Sequence, residues 1–146
     1  TTALDATVQA EVVDLILSIR RSRGLSLSWI THDLALLNRV ADRVAVMYAG
    51  RLVEIGPADV LLDHPAHPYA AGLLASVQSL WTGEGAEFLT IEGAPPPNGP
   101  EMPGCAFAPR CPRVFDRCAT RPPMASTPAD AAHGVACWLF DPKVQA

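Results

Sequence analysis

Four cysteines and one histidine hold most of the chemistry available to this chain. Cys105, Cys111, Cys118 and Cys137 are spaced C-x5-C-x6-C-x18-C, which lacks the C-x2-C pairs common in zinc knuckles. Disulfides would need an oxidising compartment, and nothing in the sequence indicates secretion. Thiolates suit iron–sulfur clusters, which take four cysteines and tolerate irregular spacing, and Cys111-Pro112 matches the Cys-Pro of ferredoxin runs. A four-iron cluster (4Fe-4S) is the first expectation, with zinc or unliganded thiols as the alternatives. His32 closes an apolar run just ahead of a short helix, and a side chain at the carboxyl end of a strand can reach a ligand. The same place also suits a structural histidine bonded to nearby loop backbone. His64, His67 and Tyr69 lie in two His-Pro pairs framing a helix start; they read as turn punctuation and are assigned no chemistry.

The elements that must position these residues follow from periodicity. Val8, Val12, Leu15 or Ile16, and Ile19 recur at helical spacing and predict a helix from about Ala6 to Arg23. Asp5 suits its N-cap, Arg20, Arg21 and Arg23 suit the negative end of the dipole, and Gly24 suits the stop. Leu25 to Thr31 reads as a buried strand delivering His32. Asp33 to Ala41 reads as a short helix with Leu34, Leu37 and Val40 inward. Val44–Tyr48 and Arg51–Ile55 read as a hairpin across Ala49-Gly50. Ala58 to Leu62 is one or two helical turns, and Pro68 can open the next helix, Tyr69 to about Ser79. Strand, helix and hairpin in this order predict an α/β layer.

Composition sets the outer bounds. The chain has 146 residues, 49% of them hydrophobic, and a formal charge of -4. A packed core is feasible, and there is no basic surplus to suggest a nucleic-acid partner. No apolar run approaches the ~18 residues that span a bilayer. Eleven of the 14 prolines lie from Pro95 onward, and Pro95-Pro96-Pro97-Asn98-Gly99-Pro100 cannot be regular helix or central strand. A boundary is expected between Leu80 and Gly93, giving residues 1–80 as an α/β part and 81–146 as a small, irregular Pro/Cys-rich tail. So short a tail needs a metal staple in place of a core.

Thr1-Thr2-Ala3-Leu4-Asp5 with Thr7-Val8-Gln9-Ala10 resembles the stretch after the Walker B acids of peptide-importer ATPases. Ile30-Thr31-His32-Asp33-Leu34 is similar to that family's switch histidine, and Arg43 to Glu54 resembles the hairpin that follows it. His64-Pro65-Ala66-His67-Pro68-Tyr69 is similar to the His-Pro-Tyr element of the oligopeptide, dipeptide and nickel importer branch. Gly104-Cys105-Ala106-Phe107-Ala108-Pro109-Arg110-Cys111-Pro112 resembles its cysteine-bearing tail. The matches run in one order along nearly the whole chain. No G-x-x-x-x-G-K-[ST] loop or LSGGQ-type signature occurs in the sequence, so the phosphate-cradling backbone is absent from it.

The resemblance implies the C-terminal part of a P-loop NTPase domain, read here as a fragment of an ATP-binding subunit of an ABC-type peptide importer. It implies ATP with Mg as cofactors, His32 as the γ-phosphate and water contact, and Asp5 on a loop facing the partner ATPase. It also implies a cluster or metal on Cys105, Cys111, Cys118 and Cys137, since relatives with this tail include cluster-binding members. Implied partners are a second homologous ATPase subunit, two transmembrane permeases and, indirectly, a solute-binding protein. The implied place is the cytoplasmic face of the bacterial inner membrane, peripheral through the permeases. The chain by itself is expected to be inactive as an ATPase. The rival expectation is a non-catalytic metal-binding or interaction module with the α/β part as scaffold.

Overall fold

The computed structural model describes residues 6–82, 91–96 and 102–141. They fall into two compact units, one up to Asp33 and one from Leu34 onward.

The first unit is helix α1, Ala6–Arg23, followed by an irregular segment. The helix ends as its sequence dictates. Gly24 takes φ +61°, and the Leu25 N–H bonds the Arg20 carbonyl at 3.1 Å, the six-to-one bond of a Schellman stop. Val13 is buried, whereas Val8, Val12, Leu15 and Ile19 are exposed, so the apolar stripe expected to face a core faces outward. The strand expected over Leu25–Thr31 is not formed among the described residues. Leu25, Leu27 and Ile30 are exposed there. A strand is defined by a neighbouring strand that takes its N–H and C=O groups, and among the described residues no strand pairs with this segment.

The second unit opens with α2, Leu34–Val40, and continues into the hairpin of β1, Arg43–Tyr48, and β2, Arg51–Pro57. Ala49 and Gly50 both have positive φ, 47° and 75°, the signature of a type I′ turn whose twist matches the strands it joins. Helix α3, Ala58–Asp63, packs Ala58 and Leu61 against Val44, with Leu37 of α2 completing that small core. Helix α4, Pro68–Thr82, follows with proline at its first position, where a missing N–H costs nothing.

The cysteine-bearing segment folds back onto the hairpin. Its two short strands, β3 at Ala125–Ser126 and β4 at Gly134–Val135, complete a four-stranded antiparallel sheet of order β1-β2-β4-β3. Arg51 of β2 donates to the Met102 and Gly104 carbonyls at 2.7 and 3.0 Å. Arg110 donates to the Ile91 and Glu92 carbonyls, each at 2.7 Å. The architecture is thus a small α/β fold, and the compact unit that begins at Leu34 runs through the hairpin into the cysteine segment. Much of the boundary region expected between Leu80 and Gly93 lies outside the described residues.

Candidate functional site

A β-bulge creates the site. Val46 pairs with Glu54 and Met47 with Leu52, which leaves Val53 as the extra residue of β2. Successive strand residues normally face opposite sides; here Val53 and Glu54 are both buried. Val53 joins Tyr48, Ala106 and Phe107 in a core cluster. Glu54 is left as a fully buried carboxylate, and such a charge is tolerated only when hydrogen bonds replace its water.

Three donors replace it. The backbone N–H of Ala66 donates to Glu54 Oε1 at 2.8 Å, that of His67 to Oε2 at 2.7 Å, and His133 Nε2 to Oε1 at 2.6 Å. Two of these come from the chain entering α4, where the helix dipole favours a negative charge. The third comes from 79 residues along the sequence, so this one carboxylate ties hairpin, helix start and cysteine segment together.

His67, Pro68 and Tyr69 divide the work at that helix start. His67 gives its N–H to Glu54, Pro68 has none to satisfy, and the Tyr69 N–H donates to His67 Nδ1 at 3.0 Å. The Tyr69 ring lies 4.6 Å from that of Tyr48 and 5.5 Å from that of Phe107, and the His67 ring 5.8 Å from Phe107. Burial holds the His67 pKa down to about 4. With Nδ1 accepting, the neutral ring carries its proton on Nε2. That Nε2 is buried and has no hydrogen-bond partner, which costs about 1–3 kcal/mol if left so. In the sequence these residues read as turn punctuation, and the paired His-Pro steps are the available signal.

The second half of the site is a small cavity that His67 shares with all four cysteines, Cys105, Cys111, Cys118 and Cys137. All four thiols are free. Three sit at tight turns whose backbone N–H groups point back at sulfur: Phe107 and Ala108 toward Cys105, Arg113 toward Cys111, Leu139 toward Cys137. Burial outweighs these donors and raises the pKa of all three, that of Cys137 to about 11. Mutual repulsion of the would-be thiolates adds to the rise. Only a bound cation would draw their protons off at neutral pH. Gly104 makes the close approach possible: at φ +78° a Cβ there would stand 2.5 Å from the Cys118 carbonyl oxygen. The Cys105 N–H bonds that same oxygen at 2.9 Å.

The remaining expected site residues lie apart from this centre. His32 is an exposed residue of the first unit, at a bend between Thr31 and Asp33. Asp5 lies outside the described residues. Among the described residues, no group of three or more His, Cys, Asp or Glu side chains is placed to hold a metal ion. No helix among them is long and apolar enough to cross a membrane.

Residues 53–118 match the family described as oligopeptide/dipeptide transporter, C-terminal region. Over that span the chain carries the family's C-terminal region. The matched span holds Glu54, the His67-Pro68-Tyr69 element and three of the four cysteines. The dipeptide transport ATP-binding protein DppD of Bacillus subtilis (strain 168) is 45% identical over 145 residues, covering 99% of this chain and 43% of that protein. The oligopeptide transport ATP-binding protein OppD of Salmonella typhimurium is 46% identical over 125 residues, covering 85% of this chain and 37% of its own length. The OppD protein of Mycobacterium tuberculosis is 46% identical over 123 residues, 84% of this chain and 20% of that protein. The chain therefore spans less than half the length of these relatives.

Proposed function

We propose that the chain works within an ATPase subunit that powers ABC-type import of peptides across a bacterial inner membrane, using ATP with Mg. The observation that carries this is the 45% identity to a dipeptide transport ATP-binding protein along 99% of the chain. In this reading residues 1–80 belong to the ATPase body and 81–146 form its tail. The subunit pairs with a second ATPase subunit and drives two permeases from the cytoplasmic face. A solute-binding protein delivers the peptide.

His32 then stands at the γ-phosphate and attacking water, where it acts on the transition state more than on the bound nucleotide. Asp5, by the resemblance, belongs to the loop facing the partner ATPase. The phosphate-cradling loop must come from sequence outside these residues, so the chain by itself does not turn over ATP. The test uses the full-length subunit in its transporter. His32→Ala should lower ATP turnover and peptide uptake by about 10²-fold while nucleotide affinity stays within about threefold. Unchanged turnover would return His32 to a structural role.

We further propose that Cys105, Cys111, Cys118 and Cys137 hold a four-iron cluster. The fit rests on the shared cavity, the turns that aim N–H groups at three sulfurs, and the unpartnered donor on His67. Four thiols lining one cavity are the ligand set that an iron–sulfur cluster takes, and a single tetrahedral zinc would use the same four. Such a cluster, when bound, cross-links the segment and exchanges single electrons. The cysteines lie far along the sequence from Asp5 and His32, so its role is structural or sensory and not hydrolytic.

A further inference from the structure

We infer that His67 donates a hydrogen bond from Nε2–H to sulfur of the iron–sulfur group that the four cysteines hold, and so sets that group's reduction potential. The inference rests on the cluster reading above and adds a residue to it that is not a cysteine. Three observations converge on it. His67 is 1% exposed, and its Nε2 is the buried side-chain nitrogen or oxygen left without a partner among the described residues. The ring lines the same cavity as Cys105, Cys111, Cys118 and Cys137. Its tautomer is fixed from the opposite side, because Nδ1 accepts the Tyr69 N–H at 3.0 Å.

The third observation decides the role. A ligand nitrogen must offer a lone pair, and here the lone pair of Nδ1 is engaged while Nε2 carries the proton. His67 is thus a donor and not a fifth ligand. Nor is the ring free to turn over and present Nδ1. The His67 backbone is held by Glu54 at 2.7 Å, and a flipped ring would lose the Tyr69 bond. Hydrogen bonds to cluster sulfur stabilise the more negative, reduced state and raise the potential.

The experiment uses the full chain prepared anaerobically. His67→Asn keeps an acceptor for the Tyr69 N–H and loses the distal donor; His67→Gln places an amide N–H near the position of Nε2. His67→Asn should shift the reduction equilibrium about tenfold toward the oxidised form, about 59 mV for one electron. His67→Gln should recover most of that shift. Should the variants not fold, wild-type protein labelled with 15N-histidine decides. Its reduced cluster should show a weak 15N coupling and an exchangeable proton by pulsed electron paramagnetic resonance, since among the four histidines only His67 lines the cavity. A clustered wild type with neither coupling nor potential shift overturns the role of His67 and leaves the cluster standing. A wild type without iron and sulfide overturns both.

Discussion

The two units solve opposite problems. Helix α1 turns Val8, Val12, Leu15 and Ile19 outward, and the segment after it leaves Ile30 97% exposed. From Leu34 onward the chain does the reverse, burying Glu54, His67 and His133 beneath its own backbone. The first unit carries exposed apolar side chains; the second has an interior carboxylate that its own donors satisfy and one interior donor, His67 Nε2, that they do not. Secondary structure in the first is locally encoded, by spacing and a glycine stop. Structure in the second depends on contacts between residues up to 89 positions apart, as in the Arg43 guanidinium donating to the Ala132 carbonyl.

The largest expected effect breaks the second unit at its centre. Glu54→Leu keeps similar volume but strands the Ala66 and His67 N–H groups and His133 Nε2. It should cost about 3–5 kcal/mol in urea unfolding, the usual result of removing one partner from a buried polar set. A loss below about 1 kcal/mol would mean that the carboxylate does not organise the fold.

A pH effect comes next. The unfolded His67 takes a proton near its ordinary 6.5, whereas burial holds the folded one to about 4. Above about 6.5 neither state is protonated and stability is whole. As pH falls from 6.5 toward 4 only the unfolded chain gains the proton, so stability is lost, by about 3 kcal/mol in total. The metal-free chain should show this in its urea midpoint, and His67→Phe should flatten that part of the profile. Equal slopes in both proteins would contradict the burial of His67.

Gly104→Ala is expected to cost about 2 kcal/mol, since the left-handed backbone alone penalises a side chain there and the added methyl meets the Cys118 carbonyl. Comparable stability in mutant and parent, by the same unfolding assay, would show that Cys105 and Cys118 are not held as close as described. The smallest effect is the counter-test in the first unit. Leu15→Ser in this chain should change stability by no more than about 0.5 kcal/mol, because Leu15 is already exposed. A large loss would mean that the stripe on α1 is covered.

What the sequence made legible follows the same division. Helix α1 with its Gly24 stop, the hairpin across Ala49-Gly50, and α4 opening at Pro68 were all readable, because each is specified within a few residues. The apolar run Leu25–Thr31 is strand-like in sequence, but pairing is not a local property, and no strand forms there among the described residues. Glu54 is not legible, because a glutamate between Val53 and Ile55 ordinarily faces solvent and nothing in the sequence announces the bulge that turns it inward. His67 reads only as turn punctuation, since its meaning depends on Glu54 and on a cavity whose cysteines lie 38 or more positions later. The cysteines stood out by type alone; their shared cavity comes from the fold, through the return of Gly134–Val135 to β2.

The proposed iron–sulfur group would need all four thiols lining this cavity. Iron, sulfide and zinc content of the anaerobically purified full chain test it most directly, read together with the absorption band near ~400 nm that thiolate-held clusters show. The account predicts about four irons and four sulfides per chain, with iron content and the band both lost on any one of Cys105→Ser, Cys111→Ser, Cys118→Ser or Cys137→Ser. Stoichiometric zinc without iron, or neither metal in a chain whose Cys→Ser variants stay protease-resistant, would contradict it.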